Sequence, residues 1–100
     1  MTQHNLTIEL MMAFAAHLRR AERSSGTVEN YLRHVRAFAA WLGGRPVTGA
    51  AAADWKASLV SQGYRPSTVN AMLVGLNGFF QFMGWEGCKV RALRLQRQLF

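Results

Sequence analysis

One cysteine, two prolines and five carboxylates in 100 residues set the first limits on this chain. The lone Cys88 has no internal partner, so no disulfide staples the fold, and a reducing cytoplasm is the compartment it suits. The prolines, Pro46 and Pro66, leave long stretches free of helix breakers. The acids Glu9, Glu22, Glu29, Asp54 and Glu86 are scattered, as are His4, His17 and His34. Neither a metal site nor a paired-carboxylate reaction is expected from them. There is no Gly-rich phosphate loop, and no Ser/His/Asp or Cys/His arrangement at a catalytic spacing. The chain by itself is therefore expected to be catalytically inert, with no cofactor and no small-molecule substrate. No apolar run approaches the roughly 18–20 residues that cross a bilayer. Residues 1–7 lack the charged start and apolar core of a signal peptide. No membrane partner is expected, and no run alternates as a strand does.

What is present is hydrophobic, basic and periodic. Half the residues are hydrophobic, enough for one small core. Twelve Lys and Arg against five Asp and Glu leave a net charge of +7. Most of the excess is arginine, which forks onto phosphate oxygens. Apolar residues stand one, four, five, eight and eleven places after Thr27, and again after Thr68. The first set is Val28, Tyr31, Leu32, Val35 and Phe38; the second is Val69, Met72, Leu73, Leu76 and Phe79. That is the period of one buried helix face.

Four helices follow. The first is expected over residues 8–22, capped by Thr7, with Ile8, Met11, Met12, Phe14, Ala15 and Leu18 apolar. Ser24-Ser25-Gly26 ends it and caps a second helix over residues 27–42, which Gly43-Gly44-Arg45-Pro46 stops. Thr48 caps a third, ending at Gly63, with Asp54 early in it. After the turn Tyr64-Arg65-Pro66, the fourth runs over residues 67–83. Its Gly75 and Gly78 mean either close packing or simply a weak helix. The expected fold is all-α, a single compact bundle of four helices with short loops, spanning residues 1–86. Residues 87–100 read as a basic linker, with Lys89, Arg91, Arg94 and Arg97 among Val90, Leu93, Leu95, Leu99 and Phe100. Drawn as a helix, that linker would align Arg91, Arg94 and Arg97 in one stripe.

Ser25-Gly26-Thr27 with Tyr31 and Phe38, then a shorter helix ending Ser61-Gln62-Gly63, then Pro66-Ser67-Thr68-Val69-Asn70 with Leu73, Leu76, Phe79 and Phe80, form a familiar order. Over residues 7–84 the chain resembles the N-terminal core-binding, SAM-like domain of tyrosine recombinases, the phage-integrase family. The resemblance implies a helical bundle that grips one face of duplex DNA around a recombination site. Its second and fourth helices would lie against the duplex, and its outer helices would touch neighbouring protomers. It places the nucleophilic tyrosine and its Arg, Lys and His partners in a separate catalytic domain. Where the family often has basic residues in the fourth helix, this chain has Ala71, Met72 and Asn77.

The candidate DNA-binding residues are Thr27, Asn30, Arg33, His34, Arg65, Ser67, Thr68, Asn70 and Asn77. Arg33 suits a phosphate and Asn30 a base edge; the alternative is a solvated helix face. Ser67, Thr68 and Asn70 would hold a phosphate at a helix N-terminus, or Ser67 merely caps. Arg19, Arg20 and Arg23 read as a solvated helix end. The aromatics Phe14, Tyr31, Phe38, Trp41, Phe79, Phe80 and Phe82 read as core. The expected function is double-stranded DNA binding for recombination and integration. The alternatives are a helical protein-interaction module, or a helix-turn-helix regulator turning at Gly63-Tyr64-Arg65-Pro66.

Overall fold

Three of the four helices start where a hydroxyl meets the first free amides. Thr7 Oγ1 accepts from Leu10 N–H at 3.2 Å, Ser24 Oγ from Thr27 N–H at 3.2 Å, and Thr48 Oγ1 from Ala51 N–H at 2.9 Å. These caps open α1 (Ile8–Arg20), α2 (Ser25–Leu42) and α3 (Gly49–Ser61). The last helix, α4 (Pro66–Met83), is different. Arg65 stands at its cap position with no side-chain bond, and proline, which has no amide to satisfy, fills its first turn. Gly43 and Gly84 end α2 and α4 at φ +60° and +72°, a backbone that favours glycine. These elements come from a computed structural model that describes residues 4–94. The arrangement is all-α, as expected. Among the described residues the single β-type pairing is a bridge between His4 and Val47.

The repeated spacing packs as a pair. Val28, Leu32, Val35 and Phe38 on α2 are buried, and so are their counterparts Val69, Leu73, Leu76 and Phe79 on α4. The fourth-place residues, Tyr31 and Met72, are only partly buried in both. Phe38 sits at the centre, with Trp55 and Phe80 meeting it edge-on at centroid distances of 5.3 and 6.1 Å. Edge-to-face pairs of this kind add to the area they bury. Phe14 brings α1 into the same core through Phe79 at 5.5 Å. Trp41 and Phe82 sit at its rim, partly buried, rather than inside it.

Several local expectations change. The first helix stops at Arg20, because Glu22 turns into left-handed backbone at φ +59°. The second opens at Ser25, which moves Thr27 inside the helix, where its hydroxyl accepts from Ser24 Oγ at 3.0 Å. Ser67 does not cap α4, since Arg65 already holds that position. Asp54 lies beyond the first turn of α3. Ile8 and Met12 are 68% and 67% exposed, because α1 buries only the stripe of Phe14, Ala15 and Leu18.

Past α4 the chain makes a 3-10 turn over Glu86–Cys88, leaves it extended at Lys89, and runs without helix or strand to Arg94. Cys88 is buried and Val90 and Leu93 pack partly buried on the core, so this stretch lies on the bundle up to Arg94. Burial pushes the Cys88 thiol up from its ordinary range. No arginine stripe of helical type forms from Arg91 to Arg94. Arg97 and the apolar pair Leu99 and Phe100 lie outside the described residues.

Candidate nucleic-acid interface

The α2–α4 crossing sets where the candidate residues lie. A Cβ at Gly75 would lie 3.1 Å from Tyr31 Cα and 3.5 Å from His34 Nδ1. Glycine is what lets the two backbones come this close. Gly75 is thus a close-packing glycine. At Gly78 the nearest atoms, on Phe14 and Tyr31, are 3.7 and 3.8 Å away, an ordinary contact.

The crossing divides the nine sequence candidates into three groups. On α2, Asn30 and Arg33 are exposed, Thr27 is partly buried, and His34 leans into the crossing. At the start of α4, Arg65, Ser67 and Thr68 are all exposed. The uncapped amides of that first turn, with no side chain bonded to them, leave the positive end of the helix open. Asn70 and Asn77 are different. Their amides are taken up by the chain itself, bonded to the backbone of Leu93 and Val90.

His34 Nδ1 is buried and has no hydrogen-bond partner among the described residues. Burial, then the neighbouring Arg33 charge, pulls its pKa below the ordinary 6.5. The fold therefore holds a neutral imidazole, which is not a phosphate-binding cation near neutral pH. The unfolded chain takes up this proton first as the pH falls, so stability is lost as the pH drops through about 6.5 towards the lower folded value. Thermal melts between pH 7.5 and pH 5 should show this decline, and His34→Gln should flatten it. An equally steep decline in the variant would assign it to another group.

Sequence reasoning missed a groove. It encloses about 850 Å³ along α4, floored by Val74, Asn77, Gly78 and Gln81. Phe14, His17, Leu18, Arg23, Tyr31, Phe82 and Lys89 also line it. The absent side chain at Gly78 helps keep it open. Arg23, read from sequence as a solvated helix end, lines this groove from the turn between α1 and α2. Tyr31, read as core, is half-buried and borders it too. No local pattern marks either residue, since the juxtaposition comes from helices distant in sequence.

The cations here are largely uncommitted. Among the described residues one carboxylate pairs with a cation, Glu86 with Lys89 at 3.0 Å. Arg45 is an exception of another kind. It donates to the carbonyls of Leu42 and Trp41 at 2.7 and 3.1 Å and lies 4.5 Å over the Trp41 ring, closing the end of α2. Among the described residues no group of three potential metal ligands comes together, and no helix is long and apolar enough to cross a membrane. No curated protein matches the chain closely enough to serve as a relative. A family model described as the phage integrase N-terminal SAM-like domain matches residues 11–87. This covers most of the chain and all of the α2–α4 pair, and the chain belongs to that family.

Proposed function

We propose that this domain holds duplex DNA for a site-specific tyrosine recombinase, on a basic surface running along α4. The observation that carries the reading is a groove along α4 lined by Lys89 and by Arg23, which has no carboxylate partner among the described residues. Exposed Arg33 and Asn30 on α2 would add contacts of their own, Arg33 to phosphate and Asn30 to a base edge. Thr27 and His34 support it as neutral polar groups at the crossing. Arg65, Ser67 and Thr68 would hold a second phosphate at the open N-terminus of α4. From Ser67 to Gln81 is about 21 Å at 1.5 Å per residue, more than half of the roughly 34–36 Å turn of a duplex. One domain could thus touch two separated stretches of backbone.

In this reading strand cleavage and rejoining belong to a separate catalytic domain. Residues 87–100 lead towards it, and neighbouring protomers assemble on the DNA. The cytoplasm, where DNA is accessible, is the fitting compartment. Membership of the family and the net charge of +7 support this reading.

Titration of a labelled duplex at two or more salt concentrations tests it. Affinity should fall steeply as salt rises, because neutralised phosphates release counterions. Arg33→Ala and Arg23→Ala should each lower the salt slope by about 1 and weaken binding evenly across sequences. Asn30→Ala should instead relax any sequence preference. Salt-independent or absent binding would sink the proposal and favour a protein-interaction module.

A further inference from the structure

Asn70 and Asn77 make an unusual pair of contacts. Asn70 Nδ2 donates to the Leu93 carbonyl at 2.9 Å while Leu93 N–H donates to Asn70 Oδ1 at 2.6 Å. Asn77 does the same with Val90, at 2.7 and 2.9 Å. Each side-chain amide thus satisfies both backbone groups of one residue, as a neighbouring strand would. The two spacings match. Seven residues of helix rise about 10.5 Å, and three residues of extended chain span about 9–10 Å. Lys89 has φ −61° and ψ 145°, close to polyproline II, where every third residue returns to the same side. Val90 and Leu93 accordingly turn inward together, while Lys89, Arg91 and Arg94 stay exposed. Lys56 Nζ adds a third anchor, donating to the Arg91 carbonyl at 2.7 Å.

No lysine or arginine stands anywhere in α4, and the docked segment passes beside that helix carrying cations of its own. We infer that Asn70 and Asn77 are positioning residues that lock residues 90–93 in register, so that Arg91 and Arg94 serve as the phosphate-contacting cations α4 lacks. The inference rests on the duplex-binding reading above. It assigns the two asparagines a backbone partner instead of a phosphate. It also makes the fixed order of this segment, and not its charge alone, part of the DNA affinity.

The test uses the whole 100-residue chain, a labelled duplex and two double variants. Arg91→Gln with Arg94→Gln removes the charges from exposed positions and leaves the fold intact. Asn70→Ala with Asn77→Ala removes no charge and releases the segment. Each should lower the salt slope by about 1.8, at 0.9 per phosphate, and weaken binding about tenfold at low salt. Combining all four changes should add little to either pair. Hydrogen exchange should become fast at the Val90 and Leu93 amides in the asparagine variant, while the buried helices stay protected. If the asparagine variant frees those amides yet keeps the parental salt slope, the register lock has no part in binding and the inference fails. If neither pair changes binding while Arg33→Ala does, the inference fails and the duplex reading stands. If the parental chain shows no salt-dependent binding, both fail.

Discussion

Gly75→Leu is expected to lower stability by about 3 kcal/mol, a large share of the roughly 5–15 kcal/mol that holds a domain of this size. The reason lies in what stands opposite. A Cβ at Gly75 comes within 3.1 Å of Tyr31 Cα and 3.4 Å of its carbonyl oxygen, and backbone atoms cannot swing aside as a side-chain tip can. A leucine would push α2 and α4 apart along their shared buried face, loosening Leu32, Val35, Leu73 and Leu76 together. Gly78→Ala, one helix turn further on, should do the reverse. Its Cβ would meet Phe14 and Tyr31 at 3.7 and 3.8 Å, an ordinary contact, so the higher helix propensity of alanine should add about 0.5–1 kcal/mol. Urea titration of both variants checks the pair. Two glycines that move stability in the same direction would mean that the crossing is looser than these distances state.

Gly49→Ala is expected to disturb the other end of the bundle and to uncover Cys88. At Gly49 an added Cβ would stand 2.7 Å from the Gly87 carbonyl oxygen, closer than real contacts allow. Either the first turn of α3 or the 3-10 turn at Glu86–Cys88 must move, at a cost of about 1–3 kcal/mol. The thiol reports which one yields. Cys88 is buried and its pKa raised, so in the parental chain little thiolate is present and reaction with a thiol reagent should be slow. Displacement of the turn should speed that reaction several-fold under native conditions. A destabilised variant with an unchanged labelling rate would place the shift in α3. Because residues 90–93 leave from this turn, the same change should also weaken the hold of Asn70 and Asn77.

The helices were legible because their signals are local. Thr7, Ser24 and Thr48 cap where hydroxyl residues cap, and Gly43 and Gly84 end helices where a left-handed residue is needed. The repeated spacing after Thr27 and Thr68 gave the two buried faces at four of its five places, the fourth-place Tyr31 and Met72 being only partly buried. Ile8 and Met12 misled because a helix alone does not say how wide a stripe its neighbours cover. Ser67 misled by two positions as a cap, because proline can open a helix without a hydroxyl.

Of the candidate site, the sequence made exposure legible. Arg33, Asn30, Arg65, Ser67 and Thr68 are exposed, as polar positions opposite a buried face must be. The sequence alone determined four amphipathic helices, a surplus of arginine and a family resemblance, all properties of neighbouring residues or of composition. Only the tertiary structure decided that Arg23 and Lys89 border one groove, that His34 is held neutral against Gly75, and that Asn70 and Asn77 bind the chain's own backbone. Each of those depends on a distance between segments far apart in the chain, and periodicity within one helix carries no measure of that distance.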